Sequence, residues 1–371
     1  MPAGGQSRTY NTTTSSSFAS GAGAPTDHDQ SNSKNVTVPL DHLKDLTLKA
    51  IKNFGYSGEE AQAMCDVLMY AQVRDNSQGI NKVAVGAFIQ MEPDRTEMKV
   101  VRETKLSALI DGGKSAGILA YSKAMNMAVE KAAAHGMSLV GTNNSPTGTA
   151  ALGYYAKHVA DTGFIALCMS TNPEWVAPHG SVEAIFGTNP IAIGIPKGLK
   201  GRSLVLDMAT AAYSYGALHK HNVAGTQIPA NVAIDSQGKP TLDASEALKG
   251  AIHVFGASHK GSHLALMVEI LAGSLVGAAV EGKHAAKNWG NMMAVIDPEL
   301  LGPPEDFEAR LHTVLSRVKG AKKADGVQEI LLPSERSDKL AARREASNQI
   351  EVERNLLAAL EKRAADGWSP Q

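Results

Sequence analysis

At 371 residues the chain exceeds one ordinary domain, and 43% apolar residues suffice for two lobes with real cores. Thirty-six basic against 37 acidic side chains leave a formal charge of −1, which removes any electrostatic case for a nucleic acid or an anionic membrane as partner. The two cysteines, Cys65 and Cys168, sit in apolar surroundings and offer neither a disulfide framework nor a metal spacing, so a reducing, cytoplasmic setting is expected. No apolar run approaches the roughly eighteen residues that span a bilayer.

Residues 1–35 are rich in Ser, Thr, Gly, Asn and Ala, lack an apolar signal core and carry one arginine, Arg8, so a disordered tail is expected there. Order should begin near Val38-Pro39. Asp41 would cap a helix with Leu43, Leu46, Ala50, Ile51 and Phe54 on its apolar face, stopped by Gly55. Ser57-Gly58-Glu59-Glu60 is a capping box for a second helix carrying Ala61, Met64, Leu68 and Ala71. That helix runs out at Arg74 to Lys82. Thr104 to Ile110 alternates like a strand, Asp111-Gly112-Gly113 turns, and a helix is expected from Ser122 to His135, then a strand from Ser138 to Thr142.

The stretch Gly141–Thr210 carries most of the signal. Ser145-Pro146-Thr147-Gly148-Thr149 is turn chemistry, followed by a helix with Ala151, Leu152, Tyr155, Val159 and Ala160 inward and Gly163 at its end. Phe164–Met169, Ile191–Ile195 and Leu204–Leu206 read as buried strands. Small polar words flank two of them, Gly187-Thr188-Asn189-Pro190 and Asp207-Met208-Ala209-Thr210. Backbone N–H groups and hydroxyls gathered at strand ends and helix starts are how α/β proteins hold phosphates and carboxylates. The plain alternative for any one of them is an ordinary loop.

Further on, Asp235 to Pro240 is a solvated turn. A Gly-rich loop, FGASHKGSHLALMVEILAGSLVGAAV, opens a helix from His263 that is apolar on nearly every side and so should be buried in a core or an interface. Pro303–Arg317 follows, then Ile330 to Arg336, and a charged helix from Asp338 to Arg363. No G-x-G-x-x-G follows a strand, so the Rossmann fingerprint is absent. Gly256 to Ser262 lacks the lysine directly before the hydroxyl that a P-loop requires.

The words APHGSVEAIFGTNPIAIGIP and LDMAT, in this order, resemble the type-2 malate/L-lactate dehydrogenase family, over about Pro39 to Ser337. Its members reduce 2-oxo acids, oxidise ureidoglycolate or sulfolactate, or reduce cyclic ketimines with NADH or NADPH. The resemblance implies an α/β protein with a family-specific, non-Rossmann dinucleotide domain at residues 140–325. It also implies a helical and mixed lobe at 36–139, a C-terminal segment 326–371 packing on that lobe, and a homodimer with its active site near the subunit interface. It places Thr147, Gly148, Thr149, Asp207, Met208, Ala209, His259 and Lys260 along the NADPH or NADH groove, with Pro333 and Ser334 closing it. A lysine above a Gly-rich helix start is also a sound phosphate ligand on physical grounds; the alternative is a solvent-facing lysine.

The family's proton-handling words are altered. Its Ser-His-Gly-x-x-Arg motif, in which serine relays charge, histidine gives the proton and arginine clamps the substrate carboxylate, stands here as Ser77-Gln78-Gly79-Ile80-Asn81-Lys82. Gln78 cannot give up a proton at neutral pH, and Lys82 keeps the cation without the bidentate fork. The family's His-Phe-Gly turn is Thr147-Gly148-Thr149, and the relay aspartate of some members is Ala217. Three outcomes are open. The chain reduces a 2-oxo acid with a substitute donor (His179, His259, Lys82 or a water); it reduces a cyclic imine that arrives protonated; or it binds a dinucleotide without turnover. In the first two, Lys82 and Thr188 would hold the carboxylate while Ser77 and Gln78 face the reacting C=O or C=N.

Overall fold

The structure, a computed structural model, describes residues 35–86 and 90–366. The segment expected to be a tail lies outside them, except for Asn35. That residue opens β1 (Asn35–Pro39), which pairs antiparallel with β12 (Gln349–Glu353), Val36 opposite Val352 and Val38 opposite Ile350. Order therefore begins before Val38, because the alternating valines pack onto the main core.

Helix α1 (Leu40–Asn53) buries Leu43, Thr47, Ala50 and Ile51; its N-cap is Pro39, and Asp41 lies in the first turn, where a carboxylate suits the helix dipole, instead of capping. α2 (Gly58–Val73) starts on the expected capping box: the Glu60 N–H donates to Ser57 Oγ and the Ser57 N–H to Glu60 Oε2, each at 3.2 Å. α3 (Asn81–Val85) follows. Where one strand was expected at Thr104–Ile110, there is a hairpin of β2 (Lys99–Glu103) and β3 (Ser107–Asp111). Thr104 Oγ1 accepts the N–H groups of Leu106 and Ser107, which makes it a turn residue. α4 (Gly117–His135) begins before Ser122 because Thr147 Oγ1 accepts the Gly117 N–H at 3.0 Å. β4 (Met137–Ser145) runs across residue 140. α5 (Leu152–Asp161) ends before Gly163, at φ +99°, and β5 (Ile165–Ser170) follows.

β6 (Val176–Ala177), β7 (Ile191–Ile195) and β8 (Leu204–Met208) come next, then α6 (Tyr215–Ala224), β9 (Ala233–Ile234), α7 (Ala244–Lys249), β10 (Ala251–His253) and α8 (His259–Ala272). The chain ends with α9 (Lys283–Ala286), β11 (Trp289–Ile296), α10 (Pro304–Lys319), α11 (Glu335–Ser347), β12 and α12 (Arg354–Asp366). The single charged helix expected from Asp338 to Arg363 is thus broken. Asn348 turns at φ +48°, and Ile350 and Val352 alternate inward as a strand against β1, so pairing overrides helix propensity.

The seven-stranded sheet has the order β2-β3-β4-β11-β5-β7-β8. β3 and β4 are parallel, and every other neighbouring pair is antiparallel. Alternation along β5 and β11 sends Ala166, Cys168, Met293 and Val295 to the core shared with α4 and α5, and Met169, Met292 and Ala294 to the opposite face under α8. A smaller sheet, β6-β10-β9, carries a second core with α6 and α7. α8 starts at His259 and is not buried all round: Val268 and Ala272 face the seven-stranded sheet and Ala265 the second core, while Leu264, Met267 and Ile270 stay exposed. No helix among the described residues is long and apolar enough to cross a membrane.

Candidate active site

After α2 the chain folds back on the helix. A Cβ on Gly79 would lie 2.3 Å from Gln72 Oε1, the oxygen that accepts the Ile80 N–H at 3.1 Å, so a larger residue here would displace the Gln72 side chain from that bond. Asn76 Oδ1 takes the Gln78 N–H at 3.0 Å. Ser77 and Gln78 are left half-buried. Ser77 Oγ lies 3.3 Å from Ser214 Oγ, the N-cap of α6, which accepts the Ala217 N–H at 3.1 Å. The first turn of α6 therefore faces the Ser77–Asn81 segment, and Ala217 stands there without a carboxylate. Asn81 Oδ1 is buried with no hydrogen-bond partner. Lys82 is half-buried, and the protein packed around it pushes its ammonium down from 10.5 to about 8.

An aromatic wall continues from that point. Tyr215, the first residue of α6, stacks on Trp175 at 3.9 Å and 5° between planes, and Trp175 meets Trp289 edge-on at 6.4 Å. The Trp289 ring lies 3.5 Å from where a Gly148 Cβ would be, with Asn172 Nδ2 at 3.9 Å. Asn172 Oδ1 in turn accepts the Thr188 hydroxyl at 2.6 Å. Gly187 is confined, since a Cβ there would lie 2.6 Å from Asn172 O and 2.7 Å from Asn189 Oδ1. Ser77 and Thr188, far apart in sequence, thus flank one continuous set of contacts. Trp289 Nε1 is buried within it and has no partner.

The residues assigned to the cofactor divide into groups. The Thr147 hydroxyl is buried and spent on capping α4, and buried Thr149 offers its carbonyl to the Tyr155 hydroxyl at 3.0 Å, which leaves Gly148 as the open point of that turn. Asp207 accepts the Gly153 N–H at 2.9 Å. Its carboxylate is exposed, and the protein packed beside it raises its pKa to about 6 against the opposing pull of the Gly153 bond. The Tyr70 hydroxyl sits beside the same glycine. Arg74 lies over the Tyr70 ring at 3.8 Å and donates from Nε and Nη2 to Asp338 Oδ1 at 3.2 Å, and Ser334 Oγ donates to Asp338 Oδ2 at 2.8 Å. Asp207 and Ser334 therefore bracket one small network, with exposed Pro333 beside it. Met208 and Ala209 are half-buried, Ala209 against the second core.

His259 and Lys260 are exposed in the first turn of α8, which no side chain caps. The Phe255 N–H donates to Thr210 O at 2.7 Å, so this helix start is tied to the end of the Asp207–Thr210 word. The His179 N–H donates to Ser262 Oγ at 3.1 Å, and its ring lies 6.3 Å from that of His259. No hydrogen bond or ion pair among the described residues joins His259 or Lys260 to Ser77 or Thr188. Sequence reasoning passed over Asn172, Trp175, Ser214, Tyr215 and Trp289. Asn172 and Trp175 lay in the stretch it singled out, and a hydroxyl at a helix start marked Ser214; Arg74 stood at the start of the Arg74–Lys82 segment without a role, and Tyr70 carried no signal beyond an ordinary helix face.

Comparison with known proteins gives one answer. The sequence model of the malate/L-lactate dehydrogenase family matches residues 38–361. The chain is 32% identical to a malate dehydrogenase of Pyrococcus abyssi, across 81% of this chain and 87% of that one. It is 32% identical to a Δ1-pyrroline-2-carboxylate/Δ1-piperideine-2-carboxylate reductase of Pseudomonas aeruginosa, across 88% of this chain and 100% of that one. The solved sulfolactate dehydrogenase of Methanocaldococcus jannaschii superimposes with a TM-score of 0.77 at 30% identity, over 88% of this chain and 96% of that one. The chain belongs to the malate/L-lactate dehydrogenase family and is an oxidoreductase.

Proposed function

We propose that this NAD(P)-dependent oxidoreductase delivers hydride to the carbon beside a carboxylate, and that its best-fitting substrate is a cyclic imine acid that arrives already protonated. The observation that carries this reading is Gln78: it stands beside the Ser77–Ser214 contact, where the resembled family keeps its proton-giving histidine, and Ala217 supplies no carboxylate behind it. An iminium asks for hydride, an anion clamp and a polar lining, and Lys82, Thr188 and Gln78 provide the last two. Relatives named as pyrroline- and piperideine-2-carboxylate reductases support the substrate class.

The residues present fit a dinucleotide. The uncapped first turn of α8 has free N–H groups with Lys260 and His259 exposed beside them, a donor set suited to a diphosphate. Gly148 leaves the Thr147–Thr149 turn bare, and Asp207 to Ala209 with Pro333 and Ser334 form the remaining wall. When bound, the reduced cofactor supplies the hydride. The surrounding sheet is mixed and mostly antiparallel, which supports a cofactor domain of a non-Rossmann type within residues 140–325; β2 and β3, from residues 36–139, belong to that same sheet, and residues 326–371 pack as the C-terminal segment. The exposed apolar flank of α8 suits a homodimer, and the two buried thiols suit the cytoplasm. NADPH is the first cofactor to test, NADH the second.

A second reading rests on Lys82. With its pKa near 8, this lysine can both pair with a carboxylate and give a proton at neutral pH, which an arginine cannot, so a 2-oxo acid is the alternative substrate. The test is titration with NADPH and NADH, followed by loss of reduced cofactor against Δ1-piperideine-2-carboxylate and pyruvate, in the wild type and Lys82→Arg. Imine turnover that survives Lys82→Arg supports the first reading, and pyruvate turnover that Lys82→Arg abolishes supports the second. Binding without any turnover would leave a dinucleotide-binding protein.

A further inference from the structure

Behind the Gly187–Pro190 turn lies a charged pair that stability alone does not explain. Lys283 is fully buried and Glu269 of α8 nearly so, with Lys283 Nζ 2.6 Å from Glu269 Oε1. Replacing such a pair by apolar side chains of similar size is often neutral or stabilising, so its presence calls for another role. Its contacts supply one. Asn189, fully buried and at φ +38°, donates from Nδ2 to Glu269 Oε2 at 2.9 Å and to Ala265 O at 3.1 Å, which ties the Thr188 turn to the flank of α8. The Lys283 N–H donates to Glu174 Oε1 at 3.2 Å, next to Trp175. The Thr210 hydroxyl closes the other side on Thr188 O and Asn189 O.

We propose that Glu269 and Lys283 are positioning residues: the pair locks the Thr188 turn and the Glu174–Trp175 loop to α8, whose first turn carries His259 and Lys260, and so sets where the substrate carboxylate sits. This rests on the reading that Thr188 faces that carboxylate. Neither residue touches substrate; Glu269 acts through Asn189, and Lys283 holds the Glu269 side chain in place.

The test compares the full-length wild type with Glu269→Leu/Lys283→Met, which removes both charges together, with Glu269→Gln/Lys283→Met, which keeps an acceptor for Asn189, and with Asn189→Gly, which tolerates the positive φ and cuts only the link. KM for Δ1-piperideine-2-carboxylate should rise on the order of tenfold in the first and third variants, with kcat and NADPH affinity little changed, and the glutamine variant should recover most of it. Amide hydrogen exchange over residues 185–192 should quicken in the same two variants. Asn189→Gly keeps the proposal testable if the leucine variant does not fold. Wild-type KM together with wild-type exchange in Asn189→Gly overturns the proposal. If the wild type turns over no carboxylate probe, the functional reading fails separately, and exchange over 185–192 alone decides whether the pair positions the turn.

Discussion

Lys82, which we propose clamps the substrate carboxylate, comes at a cost to the fold, and Lys82→Met should reveal it. In the unfolded chain the ammonium keeps its proton up to about 10.5; in the folded protein, up to about 8. That difference is worth ~3 kcal/mol at ~1.4 kcal/mol per unit, and the solvent contact the side chain keeps lowers it to ~1–3 kcal/mol. The sign follows from proton counting. Between about pH 8 and 10.5 the unfolded chain holds the extra proton, so wild-type stability rises with pH across that window and is lowest, as far as this group is concerned, below it. Lys82→Met should therefore be more stable than wild type by ~1–3 kcal/mol at pH 7, a gap that shrinks towards pH 10.5, while KM for a carboxylate substrate rises. Urea unfolding of both proteins at pH 7 and pH 10 measures this directly. Equal stability at pH 7, or a gap that does not narrow at pH 10, refutes the reasoning.

Three further outcomes are expected. Gly187→Ala forces a Cβ to within 2.6–2.8 Å of Asn172 and Asn189, so thermal unfolding should report a loss of ~1–3 kcal/mol and KM for the substrate should rise. Asp207 has its pKa raised from 3.8 to about 6, so the folded chain holds its proton longer and wild-type stability falls as pH rises through that window; Asp207→Asn should escape this fall, visible as a stability difference that grows from pH 4 to pH 7. Lys260→Ala should weaken NADPH binding by ~1–3 kcal/mol in a fluorescence titration, and unchanged affinity would reduce Lys260 to a surface residue.

Elements written in local chemistry were readable from sequence: the Ser57–Glu60 capping box, Gly163 after α5, and the apolar runs of β5, β7 and β8. The misreadings arose where distant partners decide. Ile350 and Val352 look like part of a charged helix until β1 is present to pair with them, and Thr104 looks like a strand residue until its hydroxyl is seen closing a turn. α8 is apolar all round in sequence, yet its Leu264–Met267–Ile270 flank stays open. At the site, the words around Ser77, Thr188 and Asp207 stood out because they are small, polar and set at element ends. The aromatic wall of Trp175, Tyr215 and Trp289 did not, because three rings in separate segments acquire meaning only when the fold stacks them. The Arg74–Asp338–Ser334 network was likewise hidden, since Arg74 and Asp338 are 264 residues apart.

The central claim is that this site handles hydride without a side-chain histidine as acid, and Gln78→His tests it most directly. The measurement is kcat/KM with NADPH for Δ1-piperideine-2-carboxylate and for pyruvate, in wild type and variant, at one pH. The wild type should strongly prefer the imine; the variant should keep imine turnover and gain on pyruvate by a factor of ten or more, because a placed acid contributes roughly a hundred- to ten-thousandfold and Ala217 leaves the new imidazole unsupported. A wild type that reduces pyruvate as well as the imine, and loses that activity in Gln78→His, would contradict the account.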